Sequence, residues 1–446
     1  MPVSPARAAA FEILLRVERN KSYAPELLHG ERNATLSPAD HGLATELVMG
    51  VLRWRSLLDQ NLAAASSQKL GRLDLEVLTA LRVGAYQLQF LSRIPARAAI
   101  FESVEMVKGA RKKSAAPFVN AVLRKVGEAK RDTSTDILTA SDARTLAASS
   151  AHPDWLVARW VERYGLATGR AICLHNQSVP VTAIHVQDSH TANDLAQSGI
   201  ELSPGLLLSD AWRVQAGDVI KTKAYREGRA SIQDEASQLV ALLVGDGQRL
   251  LDCCAAPGSK TTLLAKNNPR ANVFASDLHP HRAQLLRRLT TRSNVHVLAA
   301  DACHLPFDPG FDRILADVPC SGTGTLARNP EIKWRLTPED LVDLHARQIA
   351  ILKSALVVLG PGGRLLYSTC SLEREENEDV VESVLADAGE FKVVECRSEL
   401  EGLQRSAEFV WKDLDSVLTG PYLRTLPGVH PCDGFFAAII ERKTTS

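Results

Sequence analysis

The first third of the chain has apolar residues at helical spacing and almost no strand-like runs. From about residue 4 to residue 130 the apolar positions recur every three or four residues, in segments separated by proline or glycine. Two segments begin with Ser-Pro, at Ser4-Pro5 and Ser37-Pro38, and proline is favoured at the first position of a helix. The pattern predicts an all-helical domain over residues 1–135, followed by a Ser-, Thr- and Asp-rich linker within residues 131–150.

The middle of the chain contains both helical and strand-like spacing of apolar residues. The run HPDWLVARWVERYG has the spacing of an amphipathic helix, whereas VTAIHVQ alternates like a strand and GDVIKTKA resembles a second strand. These runs predict a small mixed α/β region over residues 145–230.

From about residue 231 strand patterns alternate with helix patterns. The predicted strands are RLLDCCA, NVFASDL, VHVLAAD, FDRILADV and GGRLLYSTC. This alternation is typical of an α/β fold with a mostly parallel, doubly wound, Rossmann-like sheet, here over residues 231–446. In such sheets ligands bind beyond the carboxyl ends of the strands.

Composition and charge add a hypothesis about partners. Hydrophobic residues make up 45% and charged residues 23% of the 446 residues, as in globular proteins. The formal net charge is zero, but residues 1–130 hold 19 Lys and Arg against 12 Asp and Glu. This basic third favours an acidic partner such as nucleic acid, although a solvated helical surface is an equal alternative. No apolar run has the length of a membrane span, and the N-terminus lacks the pattern of a signal peptide, so we expect a cytoplasmic protein.

The eight cysteines form neither a metal motif nor a disulfide framework. None stands in a Cys-x-x-Cys pair, and no compact His/Cys cluster indicates zinc, so no metal is expected. We expect Cys173, Cys253, Cys303, Cys396 and Cys432 to have packing roles only.

The predicted strands end in polar residues that suit a nucleoside without phosphates. Asp252, Asp277, Asp301 and Asp317 each stand at a strand end. The turn CAAPGSK after the first strand matches neither a phosphate loop nor a dinucleotide fingerprint, yet its small residues let a ligand approach the backbone. An acid after the second strand typically binds ribose hydroxyls. S-adenosylmethionine fits these features, although any single Asp could be only a helix cap.

Several ordered motifs resemble those of the RNA cytosine-5 methyltransferases, the family with bacterial Sun-type and eukaryotic nucleolar members. The runs CAAPGSKTTLLA, DVPCSGTG and YSTCSLEREENE carry the resemblance, with SIQDEASQLVA before them and HPCDGFFAAII as a closing hairpin. In the helical third, ELVMGVLRW and FVNAVLRK resemble the RNA-binding, NusB-like antitermination fold. The combination resembles the bacterial enzymes that methylate a cytosine in small-subunit (16S) ribosomal RNA.

The resemblance implies a role for two cysteines. C5 of cytosine is a poor nucleophile until a thiolate adds to C6, which makes this covalent catalysis. Matching motif to motif, Cys370 in the Thr-Cys turn is the nucleophile and Cys320 in the Pro-Cys turn assists product release. The same matching assigns cofactor binding to Cys254, Ala255, Ala256, Pro257, Gly258, Ser259, Lys260, Asp277, Asp301 and Asp317.

Other residues carry secondary expectations. Ser259 stands where the family commonly has glycine, and it would carry a cost if that position needs a positive φ. The run ARNPEIKWRL offers Arg328, Lys333, Trp334 and Arg335 to RNA, with a core position as the equal alternative for Trp334. The acidic run EREENE is expected to be a solvated helix start. A monomer is expected.

Three other functions remain open at this stage. A DNA cytosine-5 methyltransferase uses the Pro-Cys cysteine as nucleophile and needs no later Thr-Cys, so the pair favours RNA. The same chemistry on transfer RNA is a second alternative. A non-enzymatic RNA-binding assembly factor is the third, although no expected catalytic residue is missing.

Overall fold

The chain forms two compact units. The computed structural model describes residues 3–20, 22–128, 133–290 and 292–444. The helical unit consists of residues 1–179 and 326–335, and the sheet unit consists of residues 180–325 and 336–446. The predicted three-part division of the chain stays a prediction.

In the helical unit, the helices between residues 5 and 128 share one apolar core. The prediction of an all-helical N-terminal region is confirmed. Ser37 caps its helix by accepting from the Asp40 N–H at 3.1 Å, directly before Pro38. The helices of this unit are α1 (Pro5–Asn20), α2 (Ala24–Leu28), α3 (Pro38–Ala65), α4 (Leu75–Phe90), α5 (Ala96–Gly109), α6 (Ala116–Glu128), α7 (Thr133–Thr139), α8 (Ala143–Ser149), α9 (Asp154–Gln177) and, from the later segment, α15 (Ile332–Arg335).

The predicted linker is wrong for the part of residues 131–150 that the structure describes. Helices α7 and α8 lie there, while residues 131 and 132 are outside the described residues. Asp142 accepts from the Thr145 N–H at 2.8 Å in a capping box, and Leu146 and Ala147 are fully buried. The Ser, Thr and Asp residues that suggested a loop are helix-capping residues here.

Residues 326–335 belong to the helical unit although they follow the Pro-Cys motif in sequence. Lys333 is 1% exposed, and its Nζ donates to the carbonyl oxygens of Arg53 at 2.8 Å and Ala151 at 3.0 Å. The half-buried Trp334 donates from Nε1 to the Leu52 carbonyl at 2.6 Å. The expected RNA contact is therefore wrong for Lys333, because its ammonium group is buried on backbone oxygens.

The sheet unit begins with a small antiparallel sheet. Its strands are β1 (Thr182–Val186), β2 (Glu201–Pro204), β3 (Ala211–Ala216) and β4 (Ala230–Ile232), in the order β2-β3-β1-β4, with α10 (Ser189–Gln197) and α11 (Lys223–Arg226) between them in sequence. The strand predicted for GDVIKTKA is wrong, because a 3₁₀ turn (Val219–Lys221) and α11 lie there. Asp218 and Thr222 cap these turns through their side chains.

The large sheet confirms the predicted mostly parallel, doubly wound architecture. Its order is β11-β12-β13-β9-β8-β5-β6-β7, with β10 also paired to β13. The pairs from β9 to β7 are parallel, and β13, which the HPCDGFFAAII motif enters, is antiparallel to β9. The strands are β5 (Arg249–Asp252), β6 (Asn272–Asp277), β7 (Val295–Ala299), β8 (Phe311–Asp317), β9 (Leu359–Thr369), β10 (Phe391–Val394), β11 (Leu418–Thr419), β12 (Tyr422–Arg424) and β13 (Phe436–Arg442).

Helices follow the strands, as the alternation predicts. The central strands carry buried apolar runs, which need cover on both faces. The helices of this part are α12 (Glu235–Leu242), α13 (Ser259–Asn267), α14 (Pro280–Leu289), α16 (Pro338–Val358), α17 (Glu378–Leu385) and α18 (Cys396–Arg405).

The buried position of Lys333 makes stability depend on pH. Burial lowers the pKa of Lys333 from 10.5 to about 7. Between these values the unfolded chain holds a proton that the folded chain has released, so stability rises with pH. The free energy of unfolding of the wild type, relative to Lys333→Met, is therefore expected to increase between pH 7 and pH 10. Urea denaturation at each pH measures it, with the exposed Lys353→Met as control. Parallel pH profiles for wild type and Lys333→Met would contradict the assignment.

Candidate active site

The carboxyl ends of the central strands bring the predicted acids to one edge of the sheet. In the parallel registers Asp252 lies opposite Ala275 and Leu315, and Asp317 lies opposite Ser368. Asp252 is 1% exposed, and burial raises its pKa to about 7. Its carboxylate accepts from the Thr261 hydroxyl at 2.7 Å, which fixes the start of α13 against the end of β5.

The loop after β5, residues 253–258, follows the neighbouring strand closely. The Ala255 N–H donates to the Ser276 carbonyl at 2.8 Å, and the Ala256–Pro257 peptide bond is cis. Gly258 has a φ of +115°, and a Cβ there would lie 2.5 Å from Leu286 Cδ1. Ser259 begins α13 and is not among the positive-φ residues. The serine therefore adds no backbone strain, because Gly258 takes the left-handed conformation.

Asp277 and Asp301 have different surroundings. Asp277 is 5% exposed, and Arg282 lies 3.5 Å from its carboxylate while donating to the Ala256 carbonyl at 3.0 Å. This arginine joins the end of β6 to the loop after β5. Asp301 is half-exposed and accepts from the Cys303 N–H at 2.9 Å, a bond that lowers its pKa. Asp301 thus acts at least as a cap, which was the simpler alternative for it.

An ion pair connects the first turn of α13 to the end of β8. Lys260 Nζ lies 2.7 Å from the Asp317 carboxylate, which also accepts from the Ser368 hydroxyl at 2.8 Å. Burial alone would lower the pKa of Lys260, but the Asp317 charge outweighs it and the pKa is raised. The ammonium also lies 5.3 Å from the centre of the Phe435 ring. The site therefore contains an ion pair beside the two cysteine turns.

The two predicted catalytic cysteines are in contact. Cys320 lies in the Pro-Cys loop (residues 318–324) and Cys370 lies in the Thr-Cys loop (residues 369–373), with 3.3 Å between their Sγ atoms. The hydrogen bond with Cys370 and burial together raise the pKa of Cys320 well above its usual value. Either thiol can donate the hydrogen bond that joins the two sulfurs.

Four of the other cysteines are buried packing residues. All eight cysteines are free thiols, and Cys173, Cys253, Cys396 and Cys432 are buried. Burial raises the pKa of Cys173 and of Cys396 to about 12, so neither is a reactive thiolate.

The acidic run after the Thr-Cys loop is mostly buried, so the prediction of a solvated helix start is wrong. Glu376 and Asn377 are fully buried, and Glu378 is 5% exposed with Arg424 2.7 Å from its carboxylate. Asn377 donates to the Ser371 carbonyl at 2.9 Å. Sequence reasoning therefore missed Glu376 and its partners Ser321, Ser371 and Gln348. The available signal was the serine that directly follows each cysteine.

The closing hairpin packs onto the cysteine loops through two glycines. The Gly434 N–H donates to the Gly324 carbonyl at 2.9 Å, and the Gly324 N–H donates to the Cys370 carbonyl at 2.9 Å. A Cβ on Gly324 would lie 2.2 Å from the Gly434 oxygen. This close approach brings the HPCDGFF motif, which is distant in sequence, against the two cysteine loops.

Family models and relatives agree with this geometry. The chain matches the model of the 16S rRNA methyltransferase RsmB/F over residues 239–441 and that of the NusB family over residues 4–128. It is 32% identical over 458 residues to the probable ribosomal RNA small subunit methyltransferase B of Bacillus subtilis (strain 168), covering 99% of this chain and 100% of that protein. The chain belongs to the RsmB/F family of 16S rRNA methyltransferases.

Two further matches cover most or all of the RsmB/F chain. The ribosomal RNA small subunit methyltransferase B of Pseudomonas putida is 36% identical over 370 residues, 78% of this chain and 81% of that protein. The crystal structure of PH0851 superposes with a TM-score of 0.80 at 22% identity, covering 99% of each chain. This structural likeness supports the fold only.

Two further features of the RsmB/F chain concern membranes and metals. Among the residues with described positions, no helix combines the length and apolarity needed to span a bilayer. The same residues contain no group of three or more His, Cys, Asp or Glu side chains arranged to hold a metal ion.

The conformation of Gly258 predicts a stability difference between neighbouring positions. Gly258→Ala is expected to lower the free energy of unfolding by about 1–3 kcal/mol, because a side chain at this φ is strained and meets Leu286. Ser259→Ala, one residue into α13, is the matched control and should change stability little. Thermal or urea denaturation measures both. Equal stability of the two variants would contradict the assigned backbone conformation.

Proposed function

We propose that this methyltransferase transfers the methyl group of S-adenosylmethionine to C5 of a cytosine in small-subunit (16S) ribosomal RNA. In the proposed reaction Cys370 is the nucleophile and Cys320 assists release. The contact between the two thiols, 3.3 Å from sulfur to sulfur, is the observation that carries this proposal. A single reactive cysteine would need no partner thiol from a second loop.

The residues at the strand ends fit S-adenosylmethionine. The loop Cys254–Gly258 offers small side chains, so a ligand can lie against its backbone. The buried Asp277 at the end of β6 suits ribose hydroxyls. Lys260, Ser259 and Asp317 complete the predicted set, and Asp301 stays a predicted contact. A structure of NSun6 from Pyrococcus horikoshii, with a TM-score of 0.55, contains the S-adenosylmethionine analogue SFG.

The first half of the reaction uses the Cys370 sulfur. Its thiolate adds to C6 of the cytosine, and the electron pair of the C5–C6 bond then becomes available at C5. S-adenosylmethionine, when bound, supplies the methyl group that C5 takes. The Lys260 ammonium interacts electrostatically with Cys370 and so brings a positive charge near the attacking sulfur. Asp317, fixed by Lys260 and Ser368, can accept from the amino edge of the cytosine or from the amino group of the cofactor.

The second half of the reaction must break the bond between C6 and sulfur. Transfer of the C5 proton to water returns the electron pair of the C5–H bond to the ring, and the C6–S bond breaks to release Cys370 as a thiolate. Cys320 lies in contact with that sulfur, and its raised pKa keeps a proton available for a hydrogen bond to the departing thiolate. A protein without this second thiol should stall at the covalent stage.

The RNA substrate is supported by the helical region and by relatives. The basic first third, with 19 Lys and Arg against 12 Asp and Glu in residues 1–130, suits a phosphate backbone. This region matches the NusB family model, and full-length relatives bear the name of ribosomal RNA small subunit methyltransferases. We expect the protein to act as a monomer in the cytoplasm.

The test combines methyl transfer with detection of adducts. Wild type, Cys370→Ala and Cys320→Ala are incubated with labelled S-adenosylmethionine and unmodified small-subunit ribosomal RNA, then separated on denaturing gels. We expect methylation and little adduct for wild type, and neither methylation nor adduct for Cys370→Ala. Cys320→Ala should accumulate a covalent protein–RNA complex. Cys303→Ala, a partly exposed cysteine with no proposed role, should match wild type.

Other outcomes would overturn parts of the proposal. Adduct in Cys370→Ala and none in Cys320→Ala would exchange the two roles. Labelling of transfer RNA but not of ribosomal RNA would change the substrate class. No labelling of either RNA by wild type would contradict the enzymatic function and favour an RNA-binding assembly factor.

A further inference from the structure

A buried carboxylate lies beneath both cysteine loops. Glu376 is fully buried in a 3₁₀ turn (Arg374–Glu376) that follows the Thr-Cys loop, and its own carbonyl accepts from the Tyr367 hydroxyl at 2.7 Å. Among the described residues no Lys, Arg or His forms a salt bridge with it. Its charge must therefore be balanced by hydrogen-bond donors alone.

The donors to Glu376 come from both loops and from one helix. Oε1 accepts from the Ser321 N–H at 2.7 Å and from Gln348 Nε2 at 3.0 Å. Oε2 accepts from the Ser371 hydroxyl at 2.5 Å and, through a shorter contact, from the Ser321 hydroxyl. Gln348, on α16, also donates to the Pro319 carbonyl at 3.0 Å. Four donors fill the accepting capacity of one carboxylate.

The two serines are the residues that directly follow the two cysteines. Ser321 follows Cys320 and Ser371 follows Cys370, and their hydroxyl oxygens are 3.0 Å apart. The parent strands β8 and β9 are neighbours, but sheet pairing fixes backbones only to about 4.8 Å and ends where the loops begin. The separation of the two sulfurs therefore depends on contacts beyond the strands.

We propose that Glu376 is a positioning residue, whose carboxylate binds the serines beside both cysteines and thereby sets the distance between the Cys320 and Cys370 thiols. This inference rests on the proposed two-cysteine function. The carboxylate is hydrogen-bonded to the serines and to neither thiol, so its hold on the thiol positions passes through Ser321 and Ser371, although its charge also acts on Cys320 directly. A carboxylate offers two accepting oxygens to these donors, whereas an amide in its place offers one, so its N–H group would force the serine hydroxyls to turn and accept instead.

The two loops do not depend on Glu376 to the same degree. Ser321 is bound through both its N–H and its hydroxyl, whereas Ser371 is bound through its hydroxyl only. The Thr-Cys loop has further support, since the Leu372 N–H donates to the Thr323 hydroxyl at 2.9 Å and Asn377 donates to the Ser371 carbonyl. Loss of the carboxylate therefore displaces Cys320 more than Cys370, and the release half of the reaction is the half that slows.

The test uses the isosteric variant Glu376→Gln in the full chain. The turnover number for methyl transfer is expected to fall roughly 10- to 100-fold, with KM values for S-adenosylmethionine and RNA within about twofold of wild type. Denaturing gels should show covalent protein–RNA adduct, in an amount between wild type and Cys320→Ala. Glu382→Gln on the exposed side of α17 removes the same charge and should behave as wild type.

The outcomes separate this proposal from the function on which it rests. If Cys320→Ala traps adduct but Glu376→Gln turns over normally or loses activity without adduct, the positioning role is overturned and the two-cysteine function stands. If Cys320→Ala traps none, the two-cysteine function itself fails. Should Glu376→Gln not fold, Ser321→Ala keeps the charge and removes one contact beside Cys320. It should trap less adduct than Cys320→Ala but more than wild type, and a wild-type result would overturn the proposal.

Discussion

Contact between two thiols from different loops is the constraint on which the proposed chemistry depends. Cys320 and Cys370 are 50 residues apart in sequence, yet their sulfurs are 3.3 Å apart. The parallel pairing of β8 with β9 brings the loops together, and the glycine contact between Gly324 and the closing hairpin holds one loop against the other. The doubly wound sheet thus converts two distant motifs into one reactive site.

An ion pair and a buried carboxylate lie near this contact between the thiols. Lys260 forms an ion pair with Asp317, and its ammonium adds positive potential near Cys370. The buried Glu376 accepts hydrogen bonds from N–H and hydroxyl donors of both cysteine loops. Charged groups of both signs therefore lie near the two thiols. The thiol that attacks must lose its proton, whereas the thiol that assists release must hold one.

Much of the central sheet and of the candidate site could be predicted, because strand ends and motifs are local in sequence. The alternation of strands and helices predicts the central sheet, and the Pro-Cys and Thr-Cys motifs indicate the pair of cysteines. Glu376 was missed because a helix start rich in acids is usually solvated, and only the tertiary fold turns this carboxylate toward Ser321 and Ser371. Lys333 was misjudged for the same reason, since its partners are backbone carbonyls that no side-chain pattern reveals. The linker prediction was wrong because Asp, Ser and Thr are common both in loops and at helix caps, and Asp142 is such a cap.

The most direct test of the account is to identify which sulfur binds the base. Wild-type enzyme would be incubated with S-adenosylmethionine and ribosomal RNA that contains 5-fluorocytidine, whose C5 carries no proton to lose, so the adduct cannot be released. Digestion and mass spectrometry of the trapped complex would locate the modified cysteine. The account predicts a methylated fluorocytosine attached to Cys370. Attachment to Cys320, or a complete absence of adduct alongside normal methylation of unmodified RNA, would contradict it.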